Sequence, residues 1–475
     1  MCHRSHRLPV SARHDRGSPS RTAQHHATRR AACLPGTAAF IHRPRFAMTD
    51  STSLLLSPLA LPPFSLLFLA FLMSGTVLAL GLLHRHAHHV RRHRDAVPQP
   101  FADSIPLHSH QRAADYTVAR ARLSALHAAA NAGFVLLLTL GGGLQAVHDA
   151  WAGMLPAGGL GHGVALLASL GVLGWLFELP FALLRTFGIE KAFGFNRMTP
   201  SLYLADTVRE ATLAALIGLP LLAAVLWLTL AMGALWWAWV WAFWLGFNLL
   251  AMVIWPTFIA PLFNRFTPLA DAALKARVEA LLARCGFRAK GLFVMDGSRR
   301  SAHGNAYFTG LGAAKRIVFF DTLLDKLDAD EVEAVLAHEL GHFHHRHLVR
   351  RLAVLAPASL GVLALLAWLA QQPWFFSGLG MHSIDLASAL ALFTLALPVF
   401  SFPLAPMLSH WSRKHEFEAD TYAARQADAD KLVSALVKLY RDNASTLTPD
   451  PLYSRFHDSH PPAALRIARL QALQR

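Results

Sequence analysis

The sequence predicts an all-α integral membrane protein with a small α+β domain on its cytosolic side. Three observations predict it. The 475 residues are 54% apolar with a mean hydropathy of +0.35, too apolar for an ordinary soluble protein of this length. About seven segments are long and apolar enough to cross a bilayer. The polar stretches between and after them hold one chemically pointed motif, His338-Glu339-Leu340-Gly341-His342.

The apolar segments run at 63–83, 124–144, 160–184, 210–230, 235–254, 352–370 and 385–407. Only a few small residues separate the fourth from the fifth, which predicts a tight helical hairpin. Arg85, Arg91, Arg92 and Arg94 follow the first segment, and Arg185, Lys191 and Arg197 follow the third. The loops near 145–159, 231–234 and 371–384 carry no Lys or Arg. Positive-inside logic then places the His338–His342 segment and the C-terminus in the cytosol. The expected organisation is 48–254 for spans one to five, 255–350 for a cytosolic segment, 351–408 for spans six and seven, and 409–475 for a second cytosolic segment.

Residues 1–47 break the charge pattern. They hold nine Arg and one Asp, so they supply +8 of the chain's formal +15 and leave +7 to the remainder. They show no periodicity and are read as a disordered basic extension, with Met48 the expected true start. No aromatic interleaving accompanies the charge, so nucleic acid is not an expected partner. Cys2 and Cys33 lie there too, which leaves Cys285 alone and gives disulfides no expected part. The first span lacks a short apolar core followed by a small-residue cleavage site and reads as an anchor.

Asp328 and Glu331 form a capping-box pattern, and Val332, Val335, Leu336 and Leu340 follow at helical spacing. The His338–His342 motif therefore sits in a helix. Two His at i and i+4 share one helical face and can share one Zn²⁺, and Glu339 between them is placed to take a proton from a water. His344, His345 and His347 read as a hydrated collar at the membrane boundary. A third ligand is needed, and Glu416 and Asp420 are again i and i+4 on a polar helix beyond the last span. Glu416 would complete a His₂Glu site, with Asp420 orienting a ligand imidazole; on spacing alone Glu418 is a fair rival.

In the cytosolic segment, 271–282 reads as an amphipathic helix, and 292–295 and 316–320 as short strands. Between the strands, Ser301 to Gly310 reads as a polar-to-aromatic edge strand, the element that holds an extended peptide by its main chain. His460, before Pro461 and Pro462, reads as a loop residue on spacing. Near a metal, it or Arg466 would stabilise an oxyanion.

Several blocks together resemble the CAAX prenyl protease 1 family of integral-membrane zinc endopeptidases. They are Leu179-Pro180-Phe181 with Phe187 to Asn196, Trp255 to Leu269, Ser301 to Gly310 with Arg316 to Leu324, His338 to His342, Ser412 to Asp420, and Ser459 to Pro462. The resemblance covers roughly 100–475. It implies a seven-helix chambered barrel with one Zn²⁺ per chain facing inward near the cytosolic end. It implies His338, His342 and Glu416 as ligands, Asp420 behind them, and Glu339 as general base. It places His460 near the scissile carbonyl, and Asn305, Ala306, Tyr307 and Arg466 on the substrate. His415, Glu418 and Ala302-His303-Gly304 depart from the usual family pattern without touching a ligand.

The implied substrate is a peptide or protein, prenylated or plain, cut near its C-terminus, with the bilayer as the other partner and a monomer as the expected state. A membrane quality-control endopeptidase is the alternative reading, and a zinc-stabilised scaffold the second. The Ala/Arg/Leu-rich composition suggests a bacterial inner membrane.

Overall fold

The computed structural model describes residues 61–309 and 315–474. The 1–47 extension, the proposed start at Met48, Cys2, Cys33 and the Gly-rich turn at 310–314 lie outside the described residues. Among those described, seven helices are long and apolar enough to cross a membrane: Pro63–Arg92, Leu107–Leu138, Leu160–Glu190, Pro200–Ala231, Gly233–Phe263, His347–Leu369 and Leu386–Gln426.

Each span packs against the next in sequence, and the seventh closes on the first, so the spans form a ring. The ring is unevenly packed. At the end bearing the loops without Lys or Arg, a dense apolar cluster joins Phe68, Leu144, Leu166, Leu226, Trp236, Leu366, Phe375, Phe376 and Leu392. There the seventh span also crosses to the third, where a Cβ on Gly163 would lie 3.0 Å from both Ala387 and Leu226. Towards the other end spans one and two pack through Leu83, Ala87, Val90, Ala114 and Val118. Only 6% of the apolar stretch of the fifth span is buried against protein, as expected where a wall is one helix thick.

Several spans extend past the apolar stretches as charged helix, as after 83 in the first and after 407 in the seventh, whereas the fifth continues through the uncharged 255–263. The second is displaced furthest. It runs Leu107–Leu138 instead of 124–144 and stops at a turn whose Gly142 has φ +74°. A side chain on the flanking Gly141 would strike the Leu137 carbonyl, at 2.7 Å, so the glycine triplet ends the helix. The tight hairpin expected between spans four and five is present, turning at Gly233 with φ +57°.

Outside the ring, β1 (Phe266–Pro268), β2 (Gly291–Met295), β3 (Ala306–Thr309) and β4 (Arg316–Phe320) form one sheet ordered β1-β2-β4-β3. The β2–β4 pair is parallel and the others antiparallel. Strand β1 was not expected from the sequence; three residues are too few for a period-2 pattern to show. Helix α1 (Ala272–Arg284) starts on Asp271, whose carboxylate accepts from the Ala273 and Leu274 amides. Its Leu274, Val278, Leu281 and Leu282 join Ile317 and Phe319 of the sheet and Val332, Leu336 and Leu340 of α2 (Ala329–His344) in one core. The α2 capping box forms as the sequence predicts, with Asp328 and Glu331 bonded reciprocally. Helix α3 (Ala405–Gln426) continues the seventh span and is followed by α4 (Ala429–Asp442), α5 (Pro451–His457) and α6 (Ala463–Ala472). Cys285 is a free thiol.

Candidate active site

Helix α2 carries His338, Glu339 and His342, and α3 crosses it closely. A Cβ at Gly341 would fall 2.8 Å from the Ala419 Cα, so glycine is what lets the helices approach. That approach brings Glu416 to the two histidines: His338 Nε2 is 3.5 Å from Glu416 Oε2, and His342 Nε2 is 3.5 Å from Glu416 Oε1. Two ligands about 2.0–2.1 Å from a tetrahedral zinc stand about 3.3–3.5 Å apart, so the donor set fits that ion. Among the described residues these three form a group able to hold a metal, their ligand atoms within 4.8 Å of one another. Glu416 Oε2 is buried without a hydrogen-bond partner, an orphaned acceptor that a cation would satisfy. Glu418, the rival by spacing, turns instead to His347 and Arg350.

Glu339 lies in the same helical turn. Burial pushes its carboxyl above the usual carboxylate range, the direction that suits a proton-transfer group near neutral pH. His460 stands on the other side of Glu416, with Nε2 3.4 Å from Oε1 and a largely exposed ring. Ser459 Oγ lies 2.9 Å from its Nδ1 and orients it. From His460 a cavity of about 430 Å³ extends past Tyr440, Tyr453 and His457 to Arg120.

Asp420 is fully buried and sits behind His338, accepting from Nδ1 at 2.8 Å. Arg466 was expected to face substrate. It is buried instead, and forks onto Asp420 with Nε–Oδ2 at 2.8 Å and Nη2–Oδ1 at 2.5 Å. A buried carboxylate needs a paired cation, and α6 delivers Arg466 from the interior side. Its Nη2 also lies 3.4 Å from His338 Nδ1. Both atoms carry hydrogen in this arrangement, so that contact is proximity and not a bond.

Strand β3 is an edge of the sheet and runs beside α2, with the Phe308 and Phe343 rings 5.0 Å apart. Asn305 is exposed at its start, its Oδ1 accepting from the Ala306 amide. Tyr307 is half-buried against Phe320, with its hydroxyl towards Met295.

The sequence reading missed His347. Expected in a hydrated collar, it is buried, with Nδ1 2.9 Å from His342 Nδ1. In an uninterrupted helix, five residues would carry it about 140° away from His342. Arg346 adopts φ +53° and breaks the helix, which swings His347 back. A left-handed arginine leaves no signal in the sequence.

Comparison with known proteins follows the same outline. A family model described as CAAX prenyl protease N-terminal, five membrane helices, matches residues 86–265, and that of peptidase family M48 matches 268–474. The CAAX prenyl protease 1 homolog of Oryza sativa subsp. japonica is 32% identical over 396 residues, 80% of this chain and 92% of its own length. CAAX prenyl protease 1 of Saccharomyces cerevisiae is 37% identical over 325 residues, 65% of this chain and 71% of its own. The crystal structure of S. mikatae Ste24p superposes with a TM-score of 0.80 at 32% identity, covering 86% of this chain and 99% of that one.

Proposed function

This chain belongs to the CAAX prenyl protease 1 family of membrane-embedded M48 zinc metallopeptidases, and from that premise we propose that it removes C-terminal peptides from prenylated CAAX-type proteins. The observation that carries the reading is the convergence of His338, His342 and Glu416 within 4.8 Å, with Glu339 in the same turn. One zinc ion held by those three would polarise the scissile carbonyl and activate a water. Glu339 takes that water's proton and returns it to the leaving amine. His460 presents Nε2 to the carbonyl oxygen as charge grows there. The open edge of β3, from Asn305 through Tyr307, offers main-chain groups to an extended peptide. The cavity beyond His460 has room for the few residues past the scissile bond. Arg466 and Asp420 act through His338 and touch no substrate.

Residues 255–350 and 409–475 together make the reacting part, and loop charge supports placing it in the cytosol. A thiol-reactive, membrane-impermeant probe on cysteines placed singly in 371–384 and in α5 should label opposite sides. A bacterial inner membrane rests on composition alone. The relatives described above come from rice and yeasts and give it no support.

The test is purified protein given a farnesylated CAAX peptide, its unprenylated counterpart, and a chelator. Preferential, chelator-sensitive cleavage of the prenylated peptide supports the proposal. Equal cleavage of both peptides favours the quality-control endopeptidase, and zinc binding without cleavage favours the scaffold. An intact Glu339 argues against the scaffold, since a structural zinc site needs no general base.

A further inference from the structure

The two ligand histidines are braced by different chemistry. A ring nitrogen that ligates a metal carries no hydrogen, so its partner nitrogen must. His338 and His342 both aim Nε2 at Glu416, which leaves Nδ1–H on each. For His338 the acceptor is the Asp420 carboxylate, the usual arrangement for a metal-binding histidine. For His342 it is another imidazole. The 2.9 Å contact between His342 Nδ1 and His347 Nδ1 requires one donor and one acceptor, and the donor is already fixed. His347 must then be bare at Nδ1 and carry its hydrogen on Nε2. That nitrogen lies 3.0 Å from Glu418 Oε2, which also accepts from Arg350 Nη1 at 3.1 Å. His415 stacks on the His347 ring at 4.0 Å and 9°, so the ring cannot turn away without losing that packing. Every hydrogen along His342, His347 and Glu418 is thereby assigned, with no contact left over.

We propose that His347 is a positioning residue for the metal: through a relay that ends on Glu418 and Arg350, it locks His342 in the Nδ1–H tautomer and aims its Nε2 at the ion. This rests on the ligand assignment above but not on any substrate. A neutral imidazole accepts a weaker hydrogen bond than a carboxylate does. The His342 arm therefore fixes direction more than it raises basicity, whereas the Asp420 arm does both.

The experiment uses the full chain in detergent, stripped of metal, and reads zinc affinity by competition with a fluorescent chelator. Co²⁺ absorption in the visible range reports ligand geometry, and thermal unfolding of the metal-free protein reports folding. His347→Phe keeps the ring and its stacking but removes both nitrogens. It should weaken zinc by about 10–100-fold and alter the Co²⁺ bands, with metal-free unfolding unchanged. His347→Gln supplies an acceptor and a donor on one amide and should restore affinity to within about 3-fold of wild type. Wild-type affinity in His347→Phe overturns the proposal. So does a His347→Gln loss as deep as that of Phe, because packing would then explain the effect. Wild-type protein that binds no zinc sinks the ligand assignment itself, and this inference with it. Tight zinc binding without peptide cleavage leaves the inference standing and sinks only the proposed activity.

Discussion

The two ends of the helical ring are held by different physics. At the end with uncharged loops, Phe68, Leu166, Phe375, Phe376 and Leu392 fill the centre with apolar side chains, and burial of that surface ties the spans together. At the catalytic end an apolar core holds the sheet, α1 and α2, and polar contacts fix the groups around it: the buried pair Asp420 with Arg466, and Glu418 bonded to neutral His347 and to the exposed Arg350. Buried ion pairs add little net stability over apolar packing but are costly to break singly. One end therefore holds the molecule closed while the other holds a geometry. Changes at the first should lower stability and leave the chemistry intact; changes at the second should do the reverse or both.

The sharpest break of that comparison is Glu339→Gln. Turnover should fall by about 10²–10⁴-fold, with zinc content and thermal unfolding close to wild type. A variant that cleaves peptide at the wild-type rate would remove Glu339 from the mechanism. Next comes Asp420→Asn, which swaps the carboxylate behind His338 for a neutral amide and leaves Arg466 buried without its counter-charge. Zinc affinity should drop by about 10–100-fold, and the protein should lose about 3–5 kcal/mol, read from chelator competition and unfolding. An Asn variant with both values unchanged would show that the catalytic end does not depend on its ions.

Two glycine substitutions set the ends directly against each other. In Gly341→Ala the new Cβ meets Ala419 backbone at 2.8 Å, and backbone cannot yield. The cost should be about 1–3 kcal/mol, with weaker zinc binding because α2 and α3 separate. In Gly163→Ala the Cβ meets side chains of Ala387 and Leu226 at 3.0 Å. The Leu226 end can shift, so the loss should stay below about 1 kcal/mol. Thermal unfolding with zinc affinity alongside ranks the pair. A zinc effect from Gly163→Ala would mean that the far end is coupled to the site.

Much of the site was legible because its signals are local. His338, Glu339 and His342 lie within one helical turn, and their helix announces itself by the Asp328–Glu331 cap. Glu416 and Asp420 were a pair by spacing, but nothing local separated Glu416 from Glu418. The choice is made by how α3 crosses α2, with Gly341 against Ala419. That Arg466, expected at the substrate, is buried on Asp420 was not legible, because α6 brings it there through its packing against α3 and α4. The boundary of the second span slipped because the apolar window ignores Gly141-Gly142-Gly143, where the chain turns.

By itself the sequence determined the membrane class, the number of spans and the residue types of the candidate ligands. Those properties follow from composition, periodicity and i, i+4 spacing, all of which act within a few residues. Tertiary structure alone decided which acid meets His338 and His342, that the seventh span closes on the first, and that His347 meets His342. Those contacts join residues brought together by helix crossings and by one left-handed residue, Arg346, and a crossing angle or a positive φ is written in no single stretch of the chain.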